Sequence, residues 1–223
     1  MRRKRLLYVT WVLQLSILVI GVALVVRGET TWLAACIASF LVTLLPAMLK
    51  RSARVVLPVW MVLWIVISLF LHTAGGALNF YDIVPGWDHL THAASASLIA
   101  ALGFVVAITA DLYVKSIFFP RPFVSFFVLM FGMAMGVLWE IMEFTQDQIM
   151  HTRLQYGPTP NDTLLDLLFD GLASFIVAVF VYFYLRRVPP EKFVKDLGFD
   201  EAKESALGRI VLKRLEKTTQ SKQ

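Results

Sequence analysis

The sequence holds a single cysteine, Cys36, so an internal disulfide is excluded. Cys36 lies inside an apolar run and reads as a small buried residue. Charge is also scarce, at 17% of the 223 residues, against about 25% in soluble domains. No G-x-x-x-x-G-K-[ST] loop, dinucleotide fingerprint or G-x-S-x-G elbow occurs, which leaves nucleotide and nucleophilic-serine chemistry without support. Internal repeats and low-complexity tracts are absent as well. What dominates instead is apolar sequence, 58% of the chain, in runs near the ~20 residues that cross a ~30 Å hydrocarbon layer.

These runs predict an all-α polytopic membrane bundle of six transmembrane helices, at roughly 6–26, 31–49, 55–72, 87–110, 122–144 and 163–185. The first run is too long for a signal-peptide core and lacks a clear cleavage site, so it is read as a retained span. Pro189 and Pro190 end the last helix. The expected organisation is a six-span membrane domain over 1–187 and a cytoplasmic tail over 188–223. Within the tail, "ESALGRIVLKRLEK" sets Leu207, Ile210, Val211 and Leu215 on one side. It predicts a short amphipathic helix against anionic lipid headgroups.

The net charge of +5 is not a nucleic-acid footprint, because of where the bases fall. Nineteen of the 21 lie at the N-terminus, in the 50–54 and 111–121 loops, and beyond Tyr184. The positive-inside rule then puts both termini in the cytoplasm of a cell (plasma or inner) membrane. Only Arg27 and Arg153 fall on the other side. Nine acids and all four histidines (His72, His89, His92 and His151) map to that outer side, a bias that helix propensity does not require.

Three segments concentrate the outer polar residues. "WDHLTH" puts Asp88 and His92 at i, i+4 on one face at the start of the fourth span. His89 points away from that pair, towards headgroups. "GVLWEIMEF" sets Glu140 and Glu143 at i, i+3 near the end of the fifth. "NDTLLDLLFDGLAS" opens the sixth with Asp162, Asp166 and Asp170 on one stripe. Asp88 and Asp162 also fit helix N-caps. Glu140 and Glu143 do not, since a carboxylate near a helix C-terminus is unfavourable. His92 and Asp170 lie past any cap position. Trp87 and Trp139 read as interface anchors, and His151 as a solvated loop residue.

Ionisable groups in spans face the bundle interior, and carboxylates gathered there repel one another. Arg153, shared protons or a divalent metal ion would offset them. Asp88, His92, Asp166 and Asp170 are the candidate metal ligands, and Glu140 and Glu143 the candidate general bases. The small residues of the fourth span, with Gly132 and Gly136 in the fifth, predict that spans four to six pack tightly. Spans one to three then form a lipid-facing scaffold.

The order "WDHLTH", "WEIMEF", "NDTLLDLLFDGLAS" resembles the YjdF-like integral membrane proteins of bacteria and archaea, over residues 81–174. The resemblance implies a small multi-span fold with polar residues at Asp88, His92, Glu140, Glu143, Asp166 and Asp170. It supplies no substrate. Three functions fit the sequence. The first is a metal-dependent enzyme acting on a lipid or lipid-linked substrate that arrives laterally. The second is an ion- or proton-coupled transporter or binding protein. The third is a buried polar network that only holds helices together.

Overall fold

The computed structural model describes residues 2–30, 32–52, 57–114, 118–150 and 161–196. His151, Arg153 and the expected tail helix lie outside the described residues. Those described form eight helices and no strand. They are α1 (Arg2–Arg27), α2 (Leu33–Ser52), α3 (Val59–Ala77), α4 (Phe80–Ile83), α5 (Trp87–Tyr113), α6 (Arg121–Met150), α7 (Asp162–Arg187) and α8 (Pro190–Asp196). Six of them, α1, α2, α3, α5, α6 and α7, are long and apolar enough to cross a membrane. They correspond to the six expected spans.

Helix boundaries follow backbone chemistry rather than hydropathy. α6 continues past residue 144 through "TQDQIM", because no proline occurs between Pro122 and Pro158 to stop it. Asp147 on this extension is buried. α5 starts after Gly86, whose φ of 75° lies in the left-handed region that glycine enters without penalty. At the other end of α5, Asp111 Oδ1 accepts a 2.6 Å hydrogen bond from the Phe119 backbone N–H and braces the turn into α6.

α5, α6 and α7 pack most extensively on one another. Glycines explain how closely. A side chain at Gly132 would strike Ser174 of α7 and Ala100 of α5, and one at Gly136 would strike the Asp170 carboxylate. α1 packs on α2 and α3, and α3 alone of these three joins broadly to α5. The apolar core of Phe104, Ile108, Val124, Val128, Val181 and Leu185 fills the end of the inner bundle nearest the last turn of α7. The polar residues occupy the opposite end.

Residues 190–196, at the start of the expected tail, form α8, which packs on α5 with Val194 buried and Phe193 against Phe104 and Tyr184. Of the first three spans, α2 and α3 are more than scaffold, because they line a cavity that reaches the polar end.

Candidate metal centre and adjoining cavity

His92 is the hub of the polar end. It sits one turn into α5, only 7% exposed, with carboxylates on both edges of its ring. Nδ1 lies 3.3 Å from each oxygen of Asp170 on α7. Nε2 lies 3.7 Å from Asp88 Oδ1, one turn back on α5, and 3.8 Å from Glu140 Oε1 on α6. Three helices therefore meet at one imidazole. Glu140, Asp166 and Asp170 are all buried.

Asp166 joins from α7 through a residue that the sequence places elsewhere. His89 Nδ1 is 3.0 Å from Asp166 Oδ1, and the His89 ring stacks on Phe169 at 4.7 Å with 6° between planes. His89 thus turns towards α7 instead of the headgroups. α7 lies close enough to α5 to receive both histidines, His89 at Asp166 and His92 at Asp170.

Neither aspartate acts as a helix cap. The cap position of α5 is Gly86 and that of α7 is Asn161, and neither helix has a side-chain cap bond. Asp88 instead offers its carboxylate to His92, and its backbone carbonyl accepts from Thr91 Oγ1 at 2.8 Å. Asp162 is the first residue of α7 and is buried.

Asp88, His92 and Asp166 each offer a donor atom within 4.8 Å of the others. Two ligand atoms bound to one ion at about 2.1 Å can stand at most about 4.2 Å apart. The 3.7 Å separation of Asp88 Oδ1 and His92 Nε2 is compatible with that. It is long for a direct hydrogen bond. Asp170 lies on the Nδ1 edge of the ring, away from Asp88.

Glu143 shares the cavity's polar end with Asp88, His92 and Asp170. Its Oε1 accepts a 2.9 Å hydrogen bond from Trp139 Nε1, and it lines the cavity together with Trp139, His72 and Tyr81. His72 of α3 contacts the rings of Trp32, Tyr81 and Trp139, with centroids 5.4–6.1 Å apart. Its Nδ1 is 2.9 Å from Tyr81 Oη. Burial, and then the nearby carboxylates of Asp88, Glu143 and Asp166, push the Tyr81 hydroxyl up, so it remains a neutral phenol. Gly75 and Gly76 make room for this aromatic group, since side chains there would strike Tyr81 and Trp32. Trp87 is held from α3, donating Nε1–H to the Leu71 carbonyl at 3.1 Å. Sequence reasoning placed His72 at the same end but gave it no role, and it passed over Tyr81. His72 comes from α3 and Tyr81 from the short α4, and neither segment carries a motif.

The cavity holds about 580 Å³. Asp88, His92, Glu143 and Asp170 form its polar end, and apolar residues from α2, α3, α5 and α6 form the rest.

Six apolar spans around a buried Asp/His cluster define the class: a polytopic helical membrane protein with a polar centre at one end of its inner bundle. Residues 8–187 match the family model described as "Predicted membrane protein (DUF2238)". The chain belongs to that family. The match covers all six spans, well beyond the 81–174 region, and bears out the YjdF-like resemblance. An uncharacterized protein of Thermotoga maritima is 36% identical over 118 residues, covering 52% of this chain and 58% of that relative. No solved structure matches.

Proposed function

We propose that the polar end is the centre of a divalent-metal-dependent membrane enzyme acting on a lipid or lipid-linked substrate. The observation that carries this reading is the convergence of Asp88, His92 and Asp166 donors from two helices in a buried site. In this reading those three are the ligands. Asp170 fixes the His92 ring through Nδ1 and leaves Nε2 for the ion, the way carboxylates orient metal-binding histidines. His89 does the same for Asp166. A divalent ion there supplies a Lewis acid for a phosphoryl or carbonyl oxygen and a more acidic water. Glu140, opposite Nε2, takes the proton from the attacking water. The membrane is the plasma or inner membrane, and the site faces outward.

A structural role has one specific observation in its favour. The His89–Asp166 and His92–Asp170 pairs tie α5 to α7. Ion-coupled transport has less support, because α5, α6 and α7 run unbroken past the cluster, whereas transporter sites often use interrupted helices near the midplane.

Metal analysis of detergent-purified protein separates these readings. Stoichiometric Zn²⁺ or Mn²⁺ is expected in the wild type and less than about a tenth of it in Asp88→Asn/Asp166→Asn, because removing two charged ligands costs several kcal/mol of binding. A metal-free wild type that folds normally leaves the structural network as the explanation.

A further inference from the structure

The cavity continues well beyond the polar centre. Its walls include Pro46 and Leu49 of α2, Ile65 of α3, Ile99 and Leu102 of α5, and Leu138 of α6. From His92 to Leu102 along α5 is ten residues, a helical rise of about 15 Å. That is the depth of one leaflet of a ~30 Å hydrocarbon core.

Its volume limits what can fill it. An apolar cavity of about 150 Å³ holds one benzene. On that scale 580 Å³ has room for roughly 23 carbon-sized atoms. One long alkyl chain with a small head fits, and two such chains do not. The way in is lateral. α2 and α6 both line the cavity without forming an extensive interface with each other. Leu45 and Leu49 of α2, and Leu138 and Met142 of α6, line the cavity and are also exposed on the molecular surface. A chain can pass between these helices from the surrounding leaflet.

The polar end is selective in sign. Among the described residues no lysine or arginine lines the cavity, while Asp88, Glu143 and Asp170 do, together with His72 and His92. Glu143 stands beside the Trp139 indole, with His72 and Tyr81 on the same wall. A carboxylate held at the edge of an indole, with further aromatic side chains on the same wall, suits an ammonium group through ion pairing.

We infer that this cavity binds a single-chain lipid with an ammonium-bearing head, its chain lying between α2, α3, α5 and α6 and its ammonium against Glu143 and Trp139. This deepens the metal-enzyme reading by naming the substrate class, and it rests on that reading only for what happens after binding. Occupancy itself depends on Glu143 and the apolar walls from α2, α3, α5 and α6, none of which belongs to the proposed ligand trio, although Asp88 and His92 of that trio also border the cavity.

Native mass spectrometry of the purified full-length protein, titrated with defined lipids, tests the inference. Hexadecylamine is expected to bind at least about tenfold more tightly than hexadecanoate, or than the two-chain dihexadecylamine. Glu143→Gln should erase the preference for the amine over the carboxylate while chain binding persists. Leu102→Trp, at the deep end, should shift the preferred chain from sixteen carbons towards twelve. Ala96→Phe, which narrows the cavity one turn from His92, should abolish binding of every single-chain amine. A monodisperse gel-filtration profile and an unchanged thermal unfolding midpoint report that Leu102→Trp and Ala96→Phe fold. Equal binding of the amine and the carboxylate would overturn the head assignment. Unchanged chain preference in Leu102→Trp, or undiminished binding in folded Ala96→Phe, would overturn the chain site. Lipid binding without metal would defeat the enzyme reading and leave this one standing; metal without lipid would do the reverse.

Discussion

His92 gathers the chemistry of the polar end because an imidazole presents two nitrogens in opposed directions. One faces Asp170, and the other faces Asp88 and Glu140. The arrangement depends on a residue with no side chain at all. Gly136 lies against the Asp170 carboxylate, so a methyl group there would push that carboxylate off His92. Gly171, one residue along α7 from Asp170, has only Met133 Cε at 3.8 Å, an ordinary contact. Alanine in a helix interior is otherwise favoured over glycine by roughly 0.5–1 kcal/mol. Gly171→Ala should therefore raise the thermal unfolding midpoint, while Gly136→Ala lowers it through an overpacking cost of about 1–3 kcal/mol. Equal shifts in the two variants would show that Gly136 is not holding space for Asp170.

Each spanning element carries its own record in the sequence, and that record was uneven. The six spans were legible because hydrocarbon thickness sets a length and a composition that soluble helices rarely match. The packing of α5, α6 and α7 was legible from Gly132, Gly136 and the alanines of α5. Asp88, His92, Glu140, Asp166 and Asp170 stood out because acids and histidines inside spans are costly. Rotational detail was not legible. The sequence turns His89 towards headgroups whereas it meets Asp166 of α7, since a spacing fixes angles within one helix but not the position of its neighbours. α8 was missed because Phe193 and Val194 are two apolar residues among charges, and only their contact with Phe104 and Tyr184 makes them core. The proposed orientation rests on the bases at the helix ends, Arg2 to Arg5 in the first turn of α1 and Arg186 and Arg187 closing α7. With Cys36 replaced by serine, a cysteine introduced at Asn161 should react with an impermeant maleimide added to intact cells, and one at Ser221 only after lysis. Reaction of both from the same side would overturn the proposed topology.

At the scale of the whole molecule, the two ends of the inner bundle are built differently. One end is a dry apolar core closed by α8, and the other holds buried carboxylates and imidazoles at the head of a lipid-length cavity. Burying charge costs free energy unless it is paired or bound to metal, so a purely structural account must explain why hydrophobic packing does not serve at both ends. The metal reading answers that by giving the carboxylates a cation. Its most direct test is electron spin-echo envelope modulation on the Mn²⁺-loaded, detergent-purified protein. The predicted result is ¹⁴N modulation from a directly coordinated imidazole in the wild type, lost in His92→Gln and retained in His72→Gln. A bound Mn²⁺ without nitrogen coupling, or a signal unchanged in His92→Gln, would contradict the account.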